Sequence, residues 1–239
     1  MNQVEFEMQL KKEFNALDNQ IKQFEIYKAF LQEQNEIHNL TRLDSNELIY
    51  GSYFYDSIYP YKDLDWNNIH EVLDVGSGSG IPGIALKILY PHIHLTIVES
   101  VTKKTIFLEQ LVDKLKLDNV FILNTRAEEL DKSYKNKFDL TTARAVAEIK
   151  IILELLIPFM KINGLCVLPK GKKGSEEMQN ASHIIKKLKI QLVEKIQYNS
   201  LENHKEFIYI FTKKEDTPSI YPRKWKSIIN NSKEKEEEN

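Results

Sequence analysis

Two periodicities divide the chain. Up to about residue 40, apolar side chains return every three or four positions: Phe6, Leu10, Phe14, Leu17, Ile21 and Phe24, then Tyr27, Phe30, Leu31 and Ile37. On a helix that spacing gathers them into one stripe, which predicts one or two helices packed on a larger body. Asn39-Leu40-Thr41-Arg42-Leu43 breaks the pattern, and Asp44 or Ser45 is placed to cap the next helix. An aromatic stretch follows, with Tyr50, Tyr53, Phe54, Tyr55, Tyr59 and Tyr61. It reads as core and rim packing, with stacking on bases beside a cleft as the alternative.

From residue 71 the pattern becomes strand then helix, repeated. Short apolar runs at 72–75, 94–98, 120–123, 138–142 and 165–168 predict strands. Between them lie helical spacings, clearest over 102–117, where Leu108, Leu111, Val112 and Leu115 share a face. Residues 151–159 read as an apolar helix ending at Pro158, and Asn163-Gly164 as the turn into the fifth strand. A helix runs to about Leu188, and 192–197 and 207–211 read as a closing β-hairpin. Some seven strands with helices between the first five predict an α/β fold with a doubly wound, mostly parallel sheet. The hairpin puts one antiparallel strand into it.

A chain of 239 residues, 42% of them apolar, suffices for one full-sized domain. The expected division is a helical extension at 1–65, an α/β domain at 66–224 and a charged, disordered tail at 225–239. A net charge of -2 does not advertise a nucleic-acid binder, although local basic clusters can still make one. The single cysteine, Cys166, leaves no intrachain disulfide framework and no cysteine-built zinc site. The charged, amphipathic N-terminus lacks a signal-peptide core, and no apolar run approaches membrane-spanning length. The expectation is a cytoplasmic protein without membrane or metal, monomeric by default.

The chemistry gathers at residues 71–85, EVLDVGSGSGIPGIA. An apolar run ends in Asp74 and the glycines Gly76, Gly78 and Gly80, and Pro82 and Gly83 lead into helical spacing. Glycines there supply unusual dihedrals and let a ligand approach the backbone. In open α/β sheets ligands sit beside such a turn, at the carboxyl ends of the strands. Glu99 closes the next strand, placed to accept hydrogen bonds from both hydroxyls of a ribose. The crowded G-x-G-x-G led by Asp74 is more typical of S-adenosylmethionine enzymes than of dinucleotide binders. Asp74 either orders the loop or faces the ligand's amino group. Lys103 and Lys104 lie in a helix first turn, where the dipole disfavours cations, which points weakly to an anion nearby. Arg144 ends the fourth strand, either in the crevice or at the surface. The basic loop Pro169-Lys170-Gly171-Lys172-Lys173-Gly174 ends the fifth and could meet phosphates.

With S-adenosylmethionine as donor, the acceptor remains to be chosen. Methylation of cytosine C5 needs a thiolate, and Cys166 sits mid-strand among apolar neighbours. Exocyclic base amines usually call for an Asn/Asp-Pro-Pro-aromatic loop after the fourth strand, where this chain has Thr142-Ala143-Arg144-Ala145. An acceptor with a free lone pair, such as N7 of guanine, needs no general base. A small-molecule methyltransferase and a non-catalytic ribosome assembly factor remain alternatives. A nicotinamide oxidoreductase would need a third glycine at the dinucleotide spacing.

Several motifs together resemble one family: Asn39-Leu40-Thr41, Asp56-Ser57, the DVGSGSGIPG loop, Glu99 with Lys103-Lys104 and Phe107-Leu108, and Arg126-Ala127-Glu128-Glu129. Phe138-Asp139, Ala143-Arg144-Ala145, Lys170-Gly171 and Tyr221-Pro222-Arg223-Lys224 complete the set. In this order they resemble ribosomal RNA small subunit methyltransferase G, the glucose-inhibited division protein B family, over about residues 27–224. The resemblance implies a class I, Rossmann-like S-adenosylmethionine-dependent methyltransferase that methylates N7 of a guanosine in bacterial 16S rRNA, with the rRNA or small ribosomal subunit as partner. It implies cofactor contacts at Gly76, Ile81, Ala127, Glu128 and Arg144, beside Asp74, Gly78, Gly80 and Glu99 from the loop argument. Ala127 and Glu128 would hold the adenine end. Arg144 would lie near the methionine end or the target base, and Lys170 is placed for a phosphate or base contact; these two are the candidate catalytic residues. The chain departs from the family at Gln34, at Tyr53, where histidine is usual, and at Trp225, where proline-glycine often follows Tyr-Pro-Arg-Lys.

Overall fold

A computed structural model describes residues 1–38 and 45–233. The predicted break at 39–43, the family's Asn39-Leu40-Thr41, Asp44 and the end of the tail lie outside those residues. The first apolar stripe forms two helices, α1 (Gln3–Phe14) and α2 (Asp18–His38). Asn2 and Glu5 set the start of α1 by a reciprocal cap: Glu5 N–H donates to the Asn2 side chain at 2.9 Å, and Asn2 N–H to the Glu5 carboxylate at 2.8 Å. Asn15, left-handed at φ 52°, ends it. Phe6, Leu10, Phe14, Ile21, Phe24 and Tyr27 are buried, whereas Leu17, in the link, is exposed rather than part of the stripe.

Ser45 does cap the next helix, its Oγ accepting from Leu48 N–H at 3.2 Å. There α3 (Asn46–Leu48) runs into a π-helical turn, Ile49–Tyr55, and then α4 (Asp56–Ile58). Tyr50, Tyr53, Phe54, Tyr55 and Tyr61 are buried, which bears out the packing reading of the aromatic stretch.

The sheet has seven strands among the described residues: β1 (Glu71–Val75), β2 (His94–Val98), β3 (Val120–Leu123), β4 (Phe138–Thr142), β5 (Met160–Lys170), β6 (Ile190–Asn199) and β7 (Lys205–Lys213). Their order is β3-β2-β1-β4-β5-β7-β6, with β7 antiparallel to both neighbours and all other pairings parallel. Helices α5 (Gly83–Leu89), α6 (Thr102–Leu115), α7 (Ile149–Leu156), α8 (Gly174–Asn180), α9 (Ser182–Leu188) and α10 (Trp225–Lys233) complete the chain.

Alternate residues of one strand serve opposite faces. Val72 joins an apolar cluster with α1, α2, α5 and α6, and Leu73 a second cluster with α7 and α9. The helical extension therefore shares its core with one face of the sheet.

Two expectations are corrected. Asn163-Gly164 is no turn before the fifth strand: β5 begins at Met160, and left-handed Asn163 (φ 63°) coincides with a register irregularity against β4. Nor is 225–239 disordered from its start. Trp225, Ile228 and Ile229 lie at helical spacing in α10, and buried Ile228 joins the second core cluster.

Candidate active site

The carboxyl ends of β1, β2, β4 and β5 open onto one cleft with three adjoining compartments. The first, about 100 Å³, is lined by Gly76, Glu99, Ser100, Ala127, Glu128 and Trp225 among others. The second, about 350 Å³, runs along the glycine loop past Tyr53, Ser77, Gly78, Ile81, Lys104 and Arg144. The third, about 380 Å³, lies between the Arg144–Ala147 segment and Pro169, Lys170, Gly171, Glu177 and Glu206. Gly76 lines the first two, Arg144 and Ala145 the last two, and Val146 the first and third.

The glycine loop forms the floor. Gly76, Gly78 and Gly80 all have positive φ (72°, 63° and 108°). A Cβ on Gly76 would lie 2.5 Å from Val146 Cγ2, whereas one on Gly78 would meet nothing within 4 Å. Glu99 braces this loop: its carboxylate accepts from Gly78 N–H at 3.1 Å and Val101 N–H at 3.0 Å. It thus faces the first compartment already oriented, with lone pairs left for hydroxyl donors. Asp74 is buried beneath the loop, where its Oδ2 accepts from Gly83 N–H at 2.9 Å. Burial pushes its carboxyl up to about 6, helped by nearby Glu99 and opposed by the Gly83 bond. Through that bond Asp74 ties the end of β1 to the start of α5, while its Oδ1 has no hydrogen-bond partner among the described residues.

Sequence reasoning missed how the extension reaches the loop. Ser79, at its tip, is held by two tyrosines: Tyr53 Oη donates to its carbonyl at 3.0 Å, and Tyr27 Oη to the same oxygen. Tyr53, the departure from the family's histidine, is therefore a clasp on the loop; burial pushes its phenol up to about 12. A helical stripe discloses burial, not the distant partner of a hydroxyl, so no sequence signal marked it.

Arg144 is in the crevice, not on the surface. Its Nη2 donates to Ser52 O at 3.0 Å and its Nη1 to Tyr53 O at 3.3 Å, tying β4 to the π-helical turn. Ala145 beside it is left-handed (φ 56°), an uncommon state for a non-glycine residue. Lys170 also faces the cleft, but its Nζ is committed to Glu177 (2.8 Å) and to Ala147 O. Lys104 lines the second compartment, and Lys172 and Lys173 are exposed past β5. Arg223, of the Tyr221-Pro222-Arg223-Lys224 motif, is engaged inside the protein. It donates to Glu154, a fully buried carboxylate of α7, through Nε at 2.8 Å and Nη2 at 2.6 Å, while its N–H donates at 2.9 Å. Arg223→Ala would strand that charge, and we expect a loss of about 2 kcal/mol, discounted because Arg223 itself is partly solvated. Urea unfolding checks this, and an unchanged midpoint would refute it.

Trp225 is a further surprise. It closes the first compartment, with the Arg126 guanidinium 5.8 Å from its ring centroid.

A parallel sheet with one antiparallel strand, a glycine loop after β1 and an acidic residue ending β2 define a class I methyltransferase domain. The fold agrees: the ribosomal protein L11 methylase of Lactobacillus delbrueckii subsp. bulgaricus superposes with a TM-score of 0.52 over 67% of this chain and 77% of its own, at 17% identity. Within that class, the family model for GidB, rRNA small subunit methyltransferase G, matches residues 20–208. Ribosomal RNA small subunit methyltransferase G of Malacoplasma penetrans is 51% identical over 87% of this chain and 88% of its own length. The protein of that name from Lysinibacillus sphaericus is 39% identical over 94% and 96%. The chain belongs to the GidB family.

Proposed function

We propose that this protein transfers a methyl group from S-adenosylmethionine to N7 of a guanosine in bacterial 16S rRNA, in the cytoplasm, with the small ribosomal subunit or a precursor as substrate. What carries the reading is the three-part cleft meeting at Gly76, Arg144 and Val146: room for a nucleoside, its amino-acid arm and a separate acceptor.

The residues present fit the cofactor. Glu128 Oε1 is buried without a hydrogen-bond partner in the first compartment, the nearest cation being Arg126 at 4.0 Å. That vacancy suits an exocyclic amine, and Glu99 suits a ribose. Gly76, Gly78 and Ile81 would flank the amino-acid arm. When bound, S-adenosylmethionine supplies an electrophilic methyl group on a sulfonium. Arg144 and Ala145, which line both the second and third compartments, would hold the acceptor's N7 lone pair toward that methyl group. N7 carries no proton, so no base is required, and catalysis is mainly positioning and electrostatics. Lys104, Lys172 and Lys173 would meet the RNA backbone.

The test is transfer from radiolabelled S-adenosylmethionine to small subunits from cells lacking the protein, followed by nucleoside analysis. Label in 7-methylguanosine is expected. No label in any nucleoside, with the cofactor bound, would turn the reading toward a small-molecule enzyme or an assembly factor.

Trp225 gives the cofactor site its own optical readout. The other tryptophan, Trp66, is buried and stacked on Tyr90 at 3.8 Å, away from the cleft. Saturating S-adenosylmethionine should change indole emission in the wild type and in Trp66→Phe, and not in Trp225→Phe. A response surviving in Trp225→Phe would place the adenine elsewhere.

A further inference from the structure

The third compartment has a carboxylate without a partner. Glu206 stands near the start of β7, which pairs with β5 so that Phe207 lies opposite Lys170. It is half-buried in the compartment wall, and no hydrogen bond or ion pair to its carboxylate forms among the described residues. The wall's other carboxylate, Glu177, is already engaged by Lys170 Nζ at 2.8 Å and Ile149 N–H at 3.0 Å. Burial raises the Glu206 carboxyl, with Asp56 adding to the rise and Arg144 and His204 opposing it. The carboxylate is thus left open toward the compartment, with acceptor capacity that no neighbouring donor uses.

The chemistry of the acceptor says which ligand. A base methylated at N7 must keep that lone pair free, so it cannot be gripped by donors on its N7 edge. Its identity has to be read on the opposite, Watson–Crick edge, as RNA binders do with unstacked bases. There guanine presents two adjacent donors, N1–H and the N2 amine. Adenine and uracil alternate donor and acceptor on that edge, and cytosine sets one donor beside two acceptors, so none of them offers two adjacent donors. A carboxylate, acceptor-only when ionised, matches two adjacent donors and meets repulsion from any acceptor between them.

Resting on the methyltransferase reading above, we propose that Glu206 is the residue that selects guanine, accepting N1–H and N2–H from the target base lodged between Arg144 and Lys170. N7 then faces the second compartment, across Arg144 and Ala145, which line both.

The experiment crosses one protein change with one RNA change. Wild type and Glu206→Gln are compared on small subunits reconstituted with guanosine or with inosine, which lacks the N2 amine, at the methylated position. Cofactor affinity is measured alongside by calorimetry. In Glu206→Gln, kcat/KM on guanosine should fall by roughly 10- to 100-fold, with cofactor affinity unchanged. Inosine should cost the wild type roughly tenfold and cost Glu206→Gln little, since the partner of that amine is already gone. Wild-type turnover by Glu206→Gln, or an equal inosine penalty in both proteins, overturns the assignment while leaving the methyltransferase reading intact. Absence of 7-methylguanosine with wild-type protein on guanosine overturns both.

Discussion

Gly76→Ala should weaken S-adenosylmethionine binding by roughly 100-fold, from an alanine strain of about 1 kcal/mol in a left-handed backbone plus an overpacking cost of about 1–3 kcal/mol. Both terms can be read at the site. Gly76 has φ 72°, and an added Cβ falls 2.5 Å from Val146 Cγ2, with Cγ1 next at 3.4 Å. Val146 is partly exposed and can turn, but it lines the first and third compartments, where its movement narrows the room for ligand. Gly76 also anchors the loop to β2 through its N–H on Val98 O at 2.7 Å, so displacement there carries to the floor of the cleft. Calorimetric titration checks the affinity, and thermal unfolding separates a misshapen site from an unfolded protein. Truncating the obstacle as well provides the sharper test. Gly76→Ala with Val146→Ala should recover roughly tenfold of the loss, because it removes the overlap and leaves the backbone strain. Wild-type affinity in the single variant would mean that the loop accommodates a side chain and that the close packing has no consequence for binding.

Much of this site was legible in the chain because its parts are local. β2, β3 and β4 coincide with the apolar runs, the glycine loop, Glu99 and Arg144 begin one or two residues past a strand, and Lys170 is the last residue of β5. A parallel sheet brings such ends to one edge whatever the loops do. What stayed hidden depends on partners far apart in sequence. Glu206 reaches the cleft only because β7 inserts antiparallel beside β5. Trp225 reaches it because the Glu154–Arg223 pair fixes the residues before α10. Nothing in the segment around Arg223 reveals that its partner is a buried carboxylate 69 positions away. The tail hides its helix for another reason. Its lysines and glutamates outweighed Trp225, Ile228 and Ile229, a helical triplet short enough to pass as chance.

Arg144→Ala should lower the single-turnover rate of methyl transfer by roughly 100- to 1,000-fold, the scale of losing one preorganised group at a reacting centre. Cofactor affinity should change by less than about tenfold, since the other lining residues of the second compartment remain. The asymmetry follows from where Arg144 stands. It lines the compartments on both sides of the proposed transfer, and it uses two donors on Ser52 and Tyr53 carbonyls while keeping others for the cleft. Losing it unties β4 from the π-helical turn, and the same turn holds the glycine loop through Tyr53 and Ser79. Acceptor and donor walls then lose their common support, and a misplacement of about 1 Å in a reacting geometry can cost about 100-fold. Lysine would keep the charge but cannot span two carbonyls in one plane, so Arg144→Lys should stay close to the alanine variant. If lysine restores the rate, charge alone is the contribution of Arg144. If the rate falls only as far as cofactor affinity does, Arg144 serves the donor compartment and the acceptor is positioned by other groups.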